Sequence, residues 1–290
     1  MINNKYQIIK KYLPTVIVFL CMLLMNNCAG TETVYQEEKS FSVYPQAKHL
    51  IFIGLDGWGG AYTEKADMPV VKRMMAQGAA TLDMQCVMPS KSAPNWTAIF
   101  CGNPPDNHAF DQSTTILSLI DEEKSALFYE WEYIPSIFAN NNIHKQKINS
   151  DLESTENIAA YIITNKPLVT IIVFNEPDHT GLWGTRRYYR KLTEMDGYIG
   201  IIEQAVMDAG IYNETVFVLT ADHGGVIWGH GRNTPKQRKI PLVIYGNNIK
   251  EGYIIQSKLS IVDIAPTMAA ILGFEKPSVW SGETIFGVFK

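Results

Sequence analysis

The feature that most constrains this chain is a set of short, unbroken apolar runs. They are His49-Leu-Ile-Phe-Ile-Gly-Leu55, Leu168-Val-Thr-Ile-Ile-Val-Phe174, Thr215-Val-Phe-Val-Leu-Thr220 and Ile240-Pro-Leu-Val-Ile-Tyr245. A strand with one wet face alternates polar and apolar residues, whereas a run that is apolar at every position must be covered on both faces. Helix-period segments separate these runs, over 68–77, 188–209 and 261–272. Strands alternating with helices predict an α/β domain with a largely parallel central sheet flanked by helices on both faces. The stretch 103–165 is less regular and reads as a local excursion, with a helix over Ile134–Ala139.

In open α/β sheets, ligands bind beyond the carboxyl ends of the strands. Three of the runs lead there into acidic residues: Leu55 into Asp56, Phe174 into Glu176 and Asp178, and Thr220 into Asp222-His223. Ionised carboxylates gathered at one edge repel one another unless a cation holds them. A mixed Asp/His donor set suits zinc or a similar transition metal better than magnesium or calcium, which prefer all-oxygen shells.

The local motifs sharpen that reading. Asp56-Gly57 alone is a common turn pair, but Asp222-His223-Gly224-Gly225 places two adjacent donors at a strand end, with glycines that let the backbone turn beside an ion. His230, between Gly229 and Gly231, is spaced to reach back to a neighbouring ion. The plain alternative is a glycine-rich turn with exposed histidines. Pro89-Ser-Lys-Ser-Ala-Pro-Asn-Trp96 leads into a helix and puts Ser92 at or just before its N-terminus. Free N–H groups and the helix dipole favour a phosphate there, and a metal-bound serine is a route to an activated nucleophile. An ordinary N-cap is the alternative for Ser92.

Bulk properties bound the function. The 290 residues are 46% hydrophobic and 19% charged, enough for one sizeable core. The net charge is −4 with no long run of either sign, which argues against a nucleic-acid polymer as partner, since such binding needs a basic face. Lys5, Lys10 and Lys11 precede an apolar stretch, Tyr12–Met25, of signal-peptide length and short for a membrane span. Cys28, before Ala29-Gly30, is placed to be the lipidated first residue of a lipoprotein; a cleaved export signal and a retained anchor are the alternatives. Each expects an exported protein, periplasmic or anchored at the outer membrane, touching the membrane only through this segment. The expected division is a signal peptide over 1–28, a polar tether over 29–47 and a single catalytic domain over 48–290. With Cys21 and Cys28 in the targeting segment, Cys86 and Cys101 remain, either paired or, more simply, as two buried thiols.

The order Asp56-Gly57, Ser92-Ala-Pro-Asn95, Pro177-Asp178-His-Thr-Gly181 and Asp222-His223-Gly-Gly with His230 resembles the alkaline phosphatase superfamily. Within it, the order is similar to the type I phosphodiesterase/nucleotide pyrophosphatase family, over about 49–272. Gly102-Asn-Pro-Pro-Asp-Asn-His108 resembles that family's Gly-x-x-Pro-x-x-His-Gly segment, with Ala109 in place of the glycine; His108 reads as a structural loop residue. The resemblance implies two zinc ions and a small phosphate-ester substrate. Asp56, Ser92, Asp222 and His223 would hold the ion beside the nucleophile, and Asp178 and His230 the second. Ser92 would attack in line to give a phospho-enzyme, and Asn95 would hydrogen-bond a phosphoryl oxygen.

One departure stands out. The family's loop reads Asp-x-x-x-His, but four residues after Asp178 this chain has Leu182, which cannot ligate a metal. His179 is the candidate substitute. Sulfatases share the superfamily, and Ser92-Ala-Pro resembles the start of their modified-nucleophile motif, but Asn95-Trp96 follow instead of a small hydroxyl residue and arginine. Sulfatase is therefore the second enzymatic reading. A surface lipoprotein that binds a ligand with little turnover is the alternative from another class. Trp58, Trp96, Trp183 and Trp228 lie near the proposed ligands in sequence, as an aromatic wall or as ordinary packing. Arg186, Arg187, Arg190 and Lys191 read as a solvated helix face or as phosphate contacts.

Overall fold

A computed structural model of the chain describes residues 46–104, 114–120, 122–225 and 229–290. The signal segment with Cys21 and Cys28, nearly all of the tether, His108, Ala109 and Trp228 lie outside the described residues.

Eight strands form one sheet: β1 (His49–Leu55), β2 (Ala79–Gln85), β3 (Ser125–Tyr129), β4 (His144–Lys147), β5 (Val169–Phe174), β6 (Thr215–Thr220), β7 (Lys239–Gly246) and β8 (Tyr253–Ile254). Their order across the sheet is β4-β3-β5-β1-β6-β7-β2-β8. β1 pairs in parallel with β5 and β6, and β3 with β4 and β5. β7 runs antiparallel to both β6 and β2. Between β6 and β7 the described residues hold only the helical turn Pro235–Arg238. Without a crossover helix the chain returns beside the strand it left. The apolar run of β7, buried on both faces like β6, carries no mark of that reversal.

Five longer helices cover the sheet: α1 (Pro69–Gln77), α2 (Ser92–Cys101), α3 (Leu152–Asn165), α4 (Thr185–Asp208) and α5 (Ile264–Leu272). α4 packs on α1 and α3, whereas α2 packs on α5, which also meets β1. Every residue of β5 and β6 is buried. The α/β architecture expected from the apolar runs is therefore the observed one. Four strands escaped the pattern. β3 is short, β4 reads His-Lys-Gln-Lys on one edge of the sheet, β8 has two residues on the other edge, and β2 breaks register between Thr81 and Met84. The excursion after α2 contains β3, β4 and the short helix Tyr133–Ile137.

Cys86 and Cys101 are both buried and not joined in a disulfide, and burial pushes the Cys86 thiol up to about 12. Among the described residues no helix is long and apolar enough to cross a membrane.

Polar pairs whose acidic partners are buried on α4 join α1 to α4. Met68 precedes α1 and offers no side-chain cap. Instead Asp196, buried on α4, accepts the N–H groups of Val70 at 3.0 Å and Val71 at 2.8 Å. Arg73 of α1 forms a two-pronged ion pair with Glu203 of α4. Removing the Asp196 carboxylate leaves two first-turn donors without partners. Asp196→Ala is expected to lower unfolding stability by about 1–3 kcal/mol, read by urea denaturation, with the far-ultraviolet spectrum unchanged.

Candidate active site

Because β1, β5 and β6 are parallel neighbours, their carboxyl ends share one edge of the sheet, and that edge brings the expected residues together. β1 delivers Asp56, the turn after β5 delivers Asp178, and the end of β6 delivers Asp222 and His223. Asp56 is 5% exposed, and Asp222 and His223 are fully buried. The turns lock to one another: the Asp178 N–H donates to the Asp56 carbonyl at 2.9 Å, and the Gly57 N–H donates to Asp222 Oδ1 at 3.1 Å.

His223 Nε2 lies 3.3 Å from Asp222 Oδ2 and 3.5 Å from Asp56 Oδ1. His223 Nδ1 lies 3.2 Å from the Gly224 carbonyl. A proton on Nδ1, donated there, leaves the Nε2 lone pair facing the two carboxylates. Among the described residues no carboxylate stands behind Nδ1, so the arrangement is not a Ser-His-Asp triad. The His223 and His230 rings stack with centroids 4.3 Å apart, and His230 Nε2 is 3.7 Å from Asp178 Oδ2.

Ser92 is the first residue of α2, preceded by the extended Lys91. Its hydroxyl points into the cluster rather than capping its own helix: Oγ lies 3.3 Å from Asp56 Oδ1 and 3.2 Å from His223 Nε2.

This concentration of buried acid is expensive without positive charge. Burial, then the nearby Asp222 and Asp178 carboxylates, holds the Asp56 carboxyl well above its usual range. Burial pushes Asp222 up to about 8, and burial followed by the His223 charge lowers His230. Asp222 Oδ2 and His230 Nδ1 are buried with no hydrogen-bond partner. An unpartnered, buried carboxylate oxygen flanked by a second carboxylate and an imidazole nitrogen is what a divalent cation satisfies. Two overlapping donor groups exist, Asp56 with Asp222 and His223, and Asp178 with His223 and His230. The residues present therefore fit a metal.

Two expected roles change. Asn95 is fully buried, and its carboxamide is engaged by its own loop. Oδ1 accepts the Val87 N–H at 2.8 Å, while Nδ2 donates to the Pro89 and Lys91 carbonyls at 3.1 and 2.9 Å. It braces the segment that presents Ser92 and has no free amide hydrogen for a phosphoryl oxygen. His179 joins neither donor group; its side chain is 77% exposed and lies 3.9 Å from Glu176. Leu182 closes the same turn and is also exposed. Of the tryptophans near the ligands in sequence, the described ones form no aromatic wall: Trp58 and Trp96 are core residues, and Trp183 is exposed. Arg186, Arg187 and Arg190 lie on an exposed helix face.

Sequence reasoning missed the residues that brace the ligands. Trp96 Nε1 donates to Asp56 Oδ2 at 3.0 Å. The buried Tyr188 hydroxyl donates to the Gly57 carbonyl at 2.8 Å and accepts the Gly59 N–H at 3.0 Å. Its ring fills space beside Gly225, where a Cβ would come within 2.6 Å of the Gly57 carbonyl oxygen and 2.7 Å of the ring. Gly57 itself has φ +76, and a Cβ there would meet the Asp178 Cβ at 2.6 Å. Ser90 and Gln237 clasp the His230 loop through Gly229, Gly231 and Arg232. The signal available in sequence was the glycine spacing; Tyr188 and Gln237 come from distant positions that carry no motif, and Ser90 and Trp96, although inside the Pro89–Trp96 segment, find their partners only in three dimensions.

Residues 87–274 match the family model described as Sulfatase. The chain belongs to the sulfatase family. Residues 50–110 also match the type I phosphodiesterase / nucleotide pyrophosphatase model, and both matches place the chain in the alkaline phosphatase superfamily. Arylsulfatase K of Danio rerio is 33% identical over 104 residues, 34% of this chain and 20% of that protein. Phosphopentomutase of Alkaliphilus metalliredigens is 32% identical over 147 residues, 49% of this chain and 36% of that protein. The matches thus span about a fifth to a third of these curated relatives. Among solved structures, a 2-O GAG sulfatase superposes with a TM-score of 0.71 at 14% identity, covering 83% of this chain and 74% of that one. Murine ectonucleotide pyrophosphatase / phosphodiesterase 5 in complex with AMP gives 0.67 at 12% identity, covering 85% and 100%. These likenesses establish the fold. The sulfatase match is the longer of the two and raises sulfatase, which the motifs alone set well behind phosphodiesterase, to equal standing with it.

Two expectations follow from the site. The unfolded chain releases the Asp222 proton near the ordinary aspartate value of about 3.9, whereas the folded, metal-free protein holds it up to about 8. That stabilisation is complete below about pH 4 and is lost as pH rises through the folded value. The metal-free protein should therefore melt lower at about pH 9 than at about pH 6 in calorimetry, and Asp222→Asn should flatten the fall. Tyr188→Phe removes both hydrogen bonds to the Asp56 turn. It should weaken divalent-cation binding about 10–100-fold in a chelator competition titration; unchanged affinity would show that the turn holds its shape without the hydroxyl.

Proposed function

We propose that this chain is a zinc-dependent phosphoric-ester hydrolase that works through Ser92. The observation that carries the reading is the Ser92 hydroxyl, set at a helix start within 3.3 Å of both Asp56 and His223 and above a buried, partnerless carboxylate oxygen. Asp56, Asp222 and His223 would hold a cation beside Ser92, with Asp178 and His230 as donors on the more open side. Bound there, zinc supplies positive charge that lowers the pKa of a hydroxyl or water and offsets the charge of a phosphoryl group.

The chain's own residues do the rest. The first turn of α2 offers backbone N–H groups without intrahelical partners, which favour an anion in front of Ser92. Asn95 holds the preceding loop, so the hydroxyl is oriented before substrate arrives. Ser92 Oγ bonds to phosphorus as the bond from phosphorus to the ester oxygen breaks, and the proton Oγ gives up passes through solvent to the departing oxygen, leaving a phosphoserine and a free alcohol. Water then cleaves that bond, restores the hydroxyl and releases the phosphate product. Asp178 and His230 are partly exposed, and their side is where the leaving oxygen exits and water enters. The basic and apolar N-terminal segment supports an exported site of action.

Sulfate-ester hydrolysis is the second reading, favoured by the family match and by the arylsulfatase relatives. The residues after Ser92-Ala-Pro weigh against it, as does the histidine in the ligand set. The test is turnover of chromogenic phosphate monoester, phosphate diester and sulfate ester by the zinc-loaded protein. The phosphate esters should be hydrolysed, with Ser92→Ala lowering kcat by about 10³-fold or more. Undiminished activity in Ser92→Ala rejects the nucleophile, and turnover of the sulfate ester alone selects the second reading. Metal binding without turnover of any of the three selects a binding protein.

A further inference from the structure

The two donor groups are unequal in a way that bears on how the site is filled. His223 belongs to both groups, yet it has one nitrogen to offer. Its Nδ1 faces the Gly224 carbonyl, and its Nε2 faces Asp56, Asp222 and Ser92. The first group therefore keeps three protein donors in a buried setting. The second keeps Asp178 and His230, whose side chains are 20% and 30% exposed.

No other described side chain completes the second group. Leu182, on the turn after Asp178, is apolar and exposed, and His179 is turned to solvent beside Glu176. Glu176 is itself engaged, its carboxylate accepting from the Thr180 N–H at 2.9 Å and the Thr180 hydroxyl at 2.7 Å. The stem of Lys91 lies against Gly231, next to His230, and the Lys91 charge acts on His230. A cationic side chain there disfavours a lone divalent ion and favours an oxyanion. Zinc sites use three or four protein donors; two donors leave most of the coordination shell to water or to a ligand.

From this we infer that the first cation binds on its own, whereas the second is recruited together with a tetrahedral oxyanion whose oxygens supply the missing donors. The inference rests on the hydrolase reading above and deepens it: the substrate's own phosphoryl group helps assemble the second half of the site. Linkage makes the effect reciprocal, so the second ion must tighten oxyanion binding by the same factor.

The experiment is zinc titration of the metal-free full chain by calorimetry and native mass spectrometry, in chloride buffer and in the same buffer with inorganic phosphate at matched ionic strength. One equivalent is expected in chloride, and a second with phosphate present, its affinity at least tenfold higher than in chloride. Asp178→Asn should abolish the phosphate-dependent equivalent and keep the first, which also shows that the variant is folded. Two equivalents of similar affinity in chloride alone would overturn the inference, as would a second affinity that phosphate leaves unchanged. Failure to bind any zinc in either buffer would overturn the hydrolase reading with it, whereas a single equivalent in both overturns only the recruitment step.

Discussion

Asp56 and Asp222 are carried on adjacent strands into the same dry corner, with His223 between them and Asp178 alongside. Like charges at that spacing, away from water, cannot all remain ionised without compensation. Protons answer the problem in the metal-free chain, which is why burial lifts both carboxyls, and a cation answers it otherwise. Much of the surrounding structure serves that conflict. Buried strands exclude water, the Gly57 amide faces one Asp222 oxygen and leaves the other free, and Trp96 takes one oxygen of Asp56.

Holding such groups apart from collapse takes rigid turns rather than long-range attraction. Gly57 adopts a positive φ and presses against Asp178, so the turn after β1 and the turn after β5 fit only without a side chain between them. Tyr188, from the helix that follows the Asp178 turn, ties both ends of the Asp56 turn through one hydroxyl. On the opposite side Ser90, just ahead of the nucleophile, grips the His230 loop. The nucleophile segment and the more open half of the site are thus mechanically joined, although Ser90 and Gly231 are far apart in the chain.

Family membership and chemistry separate here in an instructive way. One fold hosts sulfatases, phosphodiesterases and phosphopentomutase among this chain's relatives, so the fold alone cannot name the ester that is cleaved. The distinguishing residues are few: the serine at the start of α2, the Asn95-Trp96 pair after it and the imidazole of the first donor group. Asn95 and Trp96 both turn inward to brace Ser92 and Asp56, which leaves the substrate side of the helix start without an arginine from this motif.

The sequence by itself determined the α/β class and the metal-seeking edge of the sheet. Runs such as Val169–Phe174 and Thr215–Thr220 must be buried on both faces, and acidic residues directly after buried strands have one common place to go. It also placed Leu182, which has no lone pair to give, four residues after Asp178. Tertiary structure alone decided the rest. The reversed direction of β7 depends on its connection, since a doubly buried strand looks the same in either direction. The polar edge strand β4 is set by backbone pairing, which leaves no periodic trace in its side chains. Asn95 became a brace and His179 a solvent-facing residue because hydrogen-bond partners and side-chain direction follow from three-dimensional neighbours. For the same reason Tyr188, which no motif marks, proved to be what holds the Asp56 turn.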